Sequence, residues 1–241
     1  MTAVTVARQT GRRWTIRYEL ALTFCLLLEI VLFASIGWNF LTAANAGEIV
    51  RASAEVGLLA LALTPVILTG GIDLSVGSLL ALCAVVLGMT SREAGWPLPA
   101  AVLAALTAGL AGGGLNALLV ARLGIPPLIV TLGTYSLFRG LAEGMIAGVR
   151  NYSGFPEGFL FLGQGRVGVV PTQLAVLGAA ALGFWLLVHR MAAGRTLRAI
   201  GFSPEGARYA GLSTNRSVAA VYLLSGLCAG VASLFYVVRL G

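Results

Sequence analysis

Thr69-Gly70-Gly71-Ile72-Asp73-Leu74-Ser75-Val76-Gly77-Ser78 interrupts a strongly apolar window, residues 57–91, in which Asp73 is the only charged side chain; it is also the only aspartate of the 241-residue chain. The window must hold two spans. At about 1.5 Å per residue it is barely long enough for two crossings of a hydrocarbon core about 30 Å thick. Pro65 and the glycines therefore predict helices interrupted near residues 65–78, within or close to a membrane. Broken backbone at that depth must be buried or face water, because lipid offers no hydrogen bonds. Asp73 fits a helix N-cap, its carboxylate accepting from the amides of the following turn at the positive helix end. As the lining of a polar pathway, the same break would give hydroxylated solutes places to exchange hydrogen bonds.

Outward from this break, composition fixes the solvent. The chain is 58% hydrophobic and 10% charged, with a mean hydropathy of +0.92, whereas soluble domains carry roughly 25% charged residues. An all-α, polytopic bundle is expected, with spans at 20–36, 52–68, 74–89, 99–121, 128–147, 172–188 and 217–238. About seven crossings leave no room for a soluble domain, so residues 1–241 read as one transmembrane unit.

The net charge of +7 comes from sixteen arginines, with no lysine, against nine acids. In a soluble protein that balance would point to nucleic acid; here it reports topology, and no nucleic-acid partner is expected. With the N-terminus inside, ten arginines (Arg8, Arg12, Arg13, Arg17, Arg122, Arg190, Arg195, Arg198, Arg208 and Arg216) fall on the cytoplasmic side and four (Arg51, Arg92, Arg150 and Arg166) outside, with Arg139 and Arg239 in or at the edge of spans, as the positive-inside rule requires. Ala44-Asn45-Ala46 resembles a signal-peptidase site. The preceding apolar run is long, carries Glu29 and is followed by further spans, so an uncleaved first helix is expected. Cys25, Cys83 and Cys228 lie in apolar runs without metal-ligand spacing. His189, the only histidine, sits beside Arg190 at a span end as an interfacial side chain.

Three further features carry structure. Gly109, Gly112, Gly113 and Gly114 in the fourth span invite close helix packing. Arg139 and Glu143, four apart in the fifth span, form a structural ion pair on one helical face. The external stretch 148–171, with Tyr152, Phe155, Phe159 and Phe161, folds over the membrane surface as a loop or short interfacial helix.

The inside segment 189–216 holds a complete short-helix signal. Ser203 is an N-cap, Pro204 fits the first helical position, Glu205 suits the positive end and Gly211 supplies a left-handed stop. Basic flanks would let it rest on anionic lipid or dock a protein.

Gly70-Gly71-Ile72-Asp73-Leu74-Ser75-Val76-Gly77-Ser78 resembles the characteristic run of bacterial ABC permeases that import ribose, xylose, arabinose, rhamnose or autoinducer-2. Glu205-Gly206-Ala207-x-x-x-Gly211 resembles the Glu-Ala-Ala-x-x-x-Gly pattern of importer coupling helices, with Gly206 in place of the first alanine. Gly114-Leu115-Asn116, Pro127 through Thr134 and Arg17-Tyr18-Glu19-Leu20-Ala21-Leu22 are similar to the same family, and the last, with the spacing around Glu29-Ile30 and Ala192-Gly194-Arg195, leans toward its autoinducer-2 branch, with the rhamnose branch close behind. The resemblance implies a permease subunit of an ATP-driven importer of a small sugar or sugar-like signal, in the bacterial inner membrane. It implies a transport pathway at Gly70, Gly71, Asp73, Ser75, Gly77 and Asn116, and ATPase coupling through Arg195, Gly201, Pro204, Glu205, Ala207 and Gly211. The partners implied are an ATP-binding-cassette ATPase, a second permease subunit and an external solute-binding protein, besides membrane lipid. No cofactor is implied in this chain; ATP and Mg belong to the ATPase, since nothing here resembles the phosphate-binding loop Gly-x-x-x-x-Gly-Lys-Ser/Thr. Members of the family have about ten spans and a second Gly-rich break, so the chain reads as truncated after its seventh span. The competing class is an ion-coupled secondary transporter titrating Asp73, Glu29 or the Arg139 and Glu143 pair. An intramembrane enzyme would need a nucleophile or metal cluster that the sequence does not offer.

Overall fold

The computed structural model describes residues 11–146, 152–168 and 170–240. Arg8, Arg150, the expected span end at Ala147 and the chain end at Gly241 lie outside the described residues. The chain divides into two compact units, Met1–Ile49 and Val50–Gly241. The first contains α1 (Gly11–Ile36), an apolar helix, followed by a turn in which the Asn45 side-chain amide donates to Phe40 O at 2.8 Å. α2 (Ala43–Leu68) begins there and continues into the second unit.

The second unit is a helix bundle. α3 (Val76–Gly88) and α4 (Leu98–Ala117) each end in a wide π-type turn, over Met89–Glu93 and Leu118–Arg122. α5 (Pro127–Ile146), α6 (Glu157–Gln164) and α7 (Thr172–His189) follow, and then the short α8 (Ala192–Phe202) and α9 (Pro204–Tyr209) lead into α10 (Thr214–Leu240). A two-residue antiparallel ribbon, β1 (Arg166–Val167) with β2 (Val170–Pro171), is the only β-structure among the described residues.

Among the described residues, six helical segments are long and apolar enough to cross a membrane: Tyr18–Ile36, Ala43–Leu68, Val76–Glu93, Leu98–Arg122, Thr172–His189 and Thr214–Arg239. Each expected span contains a helix, the third starting at Val76 and not at Leu74. The fifth, α5, has the 20-residue length of a crossing but falls outside the six, because Arg139, Glu143 and several small polar residues dilute its apolar character. The surface stretch after α5 contains α6, whose Phe159 is buried while Phe161 stays exposed.

Pro65 does not interrupt its helix. α2 runs through it to Leu68, and the break is confined to 69–75. A proline removes one helical hydrogen bond, a loss that neighbouring helices make tolerable in a membrane bundle.

α10 is the hub, packing along α4 and α3 and touching α6, α8 and α9. Its contact with α4 is backbone on backbone. A Cβ on Gly109 would lie 2.5 Å from Gly226 O, and one on Gly113 would lie 2.4 Å from Tyr222 O. Small residues on both helices permit this approach where no hydrophobic effect drives association. Leu79, Cys83 and Leu87 of α3 fill the adjoining core with Phe138 of α5 and Ala229 of α10.

Candidate functional site

The break is built by a helix stop, an extended strap and a restart. At the end of α2, Gly70 N donates to Ile67 O at 2.9 Å and Gly71 N to Val66 O at 3.0 Å, with Gly70 at φ +77°. This closure satisfies the last carbonyls of a helix and needs a left-handed residue where Gly70 stands. The strap's Ile72 carbonyl accepts from Thr131 Oγ1 of α5 and from Tyr222 Oη of α10, both at 3.3 Å.

Asp73 is 7% exposed, and both carboxylate oxygens are used. Oδ1 accepts from Ser75 N at 3.0 Å and from Ser75 Oγ at 2.7 Å; Oδ2 accepts from Ser225 Oγ of α10 at 2.9 Å. The expectation of an Asp73 N-cap is corrected here. Ser75 O accepts the first helical bond, from Leu79 N at 2.9 Å, so Ser75 holds the cap position of α3. Asp73 lies two residues upstream and forms an Asx-type turn, its second oxygen drawn away to α10.

The polar chain extends further. Thr134 Oγ1 of α5 donates to Asn116 Oδ1 at 2.8 Å, and Asn116 Nδ2 of α4 donates to Ser75 Oγ at 2.8 Å. Donors thus point in sequence from Thr134 through Asn116 and Ser75 to the Asp73 carboxylate, and a second donor arrives from Ser225. All five side chains are buried. Such bonds contribute about 1 kcal/mol each when intact, but an orphaned buried partner costs about 1–3 kcal/mol, so the network fixes α3, α4, α5 and α10 around the strap.

Beneath the strap lies a cavity of about 440 Å³. Thr69, Gly70 and Gly71 line it together with Tyr222, with the turn at 120–127 and with Pro204 and Arg208 of α9. The preceding helix, α8, touches the break directly: a Cβ on Gly201 would lie 2.1 Å from Leu68 O, and Gly70 N is 3.7 Å away. α9 is formed as its sequence predicts. The Ser203 side chain accepts from Gly206 N at 3.0 Å, Pro204 opens the helix, Glu205 lies in its first turn and Gly211 follows at φ +78°.

Of the residues singled out from the sequence, Asp73, Ser75 and Asn116 meet in one network, and Gly70 and Gly71 line the cavity above α9. Gly77 joins neither; it is exposed, and a Cβ there would meet nothing within 4 Å. In the segment 189–216, Gly201 and Pro204 face the break or cavity and Ala207 is buried, whereas Arg195 and Glu205 are exposed. Glu29 is exposed on α1. Arg139 and Glu143 form an ion pair with both side chains more than half exposed. His189 stacks on Trp185 at the end of α7, with ring centroids 5.8 Å apart.

Sequence reasoning missed Ser225 and Tyr222, which anchor the strap from α10, and the pair of Glu55 with Arg239. Arg239 Nε donates to Glu55 Oε1 at 2.8 Å, joining α2 to α10. The available signal was their polarity within apolar spans, but nothing in their spacing named a partner.

A bundle whose helices are long and apolar enough to cross a membrane, interrupted beside a cavity and held there by a buried polar network, is the architecture of a polytopic membrane protein. The family described as branched-chain amino acid transport system, permease component, matches residues 45–241. The chain belongs to that family and is a membrane-spanning permease subunit of an ATP-binding-cassette importer. It is 39% identical over 235 residues to the autoinducer 2 import system permease protein LsrD of Klebsiella pneumoniae, covering 94% of this chain and 69% of that protein. The LsrD proteins of Escherichia coli and Shigella flexneri are 38% identical over 237 residues, covering 94% of this chain and 70% of theirs. No solved structure gives a significant match.

Proposed function

We propose that this permease passes a small sugar or sugar-like signal of the autoinducer-2 class inward across the bacterial inner membrane, in a complex with an ATPase, a second permease and an external binding protein. The similarity to LsrD proteins supports the substrate class. The N-terminus lies in the cytoplasm, and residues 189–216 form a cytoplasmic coupling loop within a single permease domain. ATP and Mg are handled by the partner ATPase.

One observation carries the mechanism. The backbone of α8 at Gly201 rests against the end of α2 at Leu68, beside the left-handed Gly70, and Pro204 and Arg208 of α9 share a cavity with Gly70 and Gly71. An ATPase pressing on α9 therefore displaces the break without a long relay. Gly70, Gly71, Asp73, Ser75 and Asn116 form or brace the part of the pathway that changes access, and the Asp73 network returns the strap to a single position after each cycle. Asp73 acts through the strap, since its oxygens are occupied by Ser75 and Ser225.

The test is Gly201→Val in the assembled complex. Its side chain cannot fit against Leu68 O, so solute-stimulated ATP hydrolysis should fall by about tenfold or more while the complex still inserts and copurifies. Full stimulation in a correctly assembled Gly201→Val complex would sink the coupling route.

A further inference from the structure

The cavity beneath the strap is charged in one sense only. Arg122, from the turn after α4, and Arg208, from α9, both line it, and no Asp or Glu does so among the described residues. The two arginines are 86 positions apart in the chain. The positive-inside rule accounts for arginines on this side of the membrane, but not for two from separate elements meeting at one concave space without a counter-charge.

Their donors are largely unspent. Arg208 Nε donates to Thr214 Oγ1 at 3.1 Å and its Nη2 to Asn215 Oδ1 at 3.5 Å, which orients the guanidinium and leaves its remaining N–H groups. Arg122 has no hydrogen-bond or ion-pair partner among the described residues. Guanidinium groups offer five N–H donors in a planar fork suited to phosphate oxygens. Thr69 and Asn215 add neutral polar groups, and Val120, Ile200 and Val218 give the cavity apolar walls.

We propose that this cavity is an anion site for a phosphate group presented from the cytoplasmic side, on a free phosphate compound or on a lipid headgroup. Seated between Arg122 and Arg208, the phosphate ties α9 to the turn after α4 directly below Gly70 and Gly71. The site stands on the cavity and its charges, and it holds whether or not the transported solute uses the same space.

The test uses the full chain in nanodiscs with two probes. Inorganic phosphate is titrated calorimetrically into phosphatidylcholine nanodiscs, and retained phosphatidylglycerol is counted by native mass spectrometry after purification from mixed-lipid nanodiscs. Arg122→Gln is the decisive variant, because Arg122 makes no hydrogen bond or ion pair among the described residues; Arg122→Lys restores the charge. Saturable phosphate binding that Arg122→Gln weakens by about tenfold and Arg122→Lys partly recovers identifies a site for soluble phosphate. Phosphatidylglycerol retained by the native chain and lost in Arg122→Gln, without binding of free phosphate, identifies the headgroup as the source. Binding of neither probe, or equal binding by native and Arg122→Gln proteins, overturns the proposal.

Discussion

Asp73 brings a buried carboxylate into an apolar bundle, and three donors from two residues meet its two oxygens. Removing the link that orients Ser75 should be felt at once. Asn116→Ala leaves the Ser75 hydroxyl without its donor and the Thr134 hydroxyl without its side-chain acceptor, and should lower stability by about 1–3 kcal/mol, read as a drop in Tm in detergent. The glycines of the break should divide sharply. A methyl group on Gly71 meets Tyr222 Oη at 3.0 Å and Val66 O at 3.2 Å, whereas one on Gly77 meets nothing. Gly71→Ala should therefore reduce uptake by about tenfold through displacement of Tyr222, and Gly77→Ala should leave it unchanged; equal uptake by the two variants would refute the placement of the strap. A lone acid in an apolar window is conspicuous in the sequence. Its partner Ser225 is 152 positions away and is one ordinary serine in an apolar helix, so the network itself was not legible.

At the scale of elements, local signals were read well and pairings were not. Ser203, Pro204, Glu205 and Gly211 spell out α9 because capping is a short-range interaction, and the observed cap uses those residues. Ser203→Ala should cost about 1 kcal/mol of local helix stability, visible as faster amide hydrogen exchange over residues 205–209. The glycines of α4 announced a close packing surface, but its partner could not be read, because Gly226 and Gly230 stand among other small residues of α10. Gly226→Leu should wedge α4 from α10 and cost about 3 kcal/mol or more, while Gly114→Leu, whose new Cβ would meet only Leu223 Cδ2 at 3.6 Å, should be far milder in the same unfolding assay. Pro65 misled in the opposite direction. Proline is a helix breaker in isolation, but in α2 the tertiary environment carries the helix on to Leu68.

For the whole molecule, the helical spans follow from hydropathy, whereas the meeting of α8 with the end of α2 is a tertiary contact that no local pattern encodes. The proposal that the bundle is driven through this contact, and not by titrating side chains within the membrane, is tested by transport. Proteoliposomes containing the permease complex, its ATPase and binding protein allow a direct decision by measuring uptake of labelled autoinducer-2. Uptake should require ATP, be indifferent to an imposed pH gradient, and fall about tenfold or more in Gly201→Val. Uptake driven by a pH gradient without ATP, and undiminished in Gly201→Val, would contradict the account.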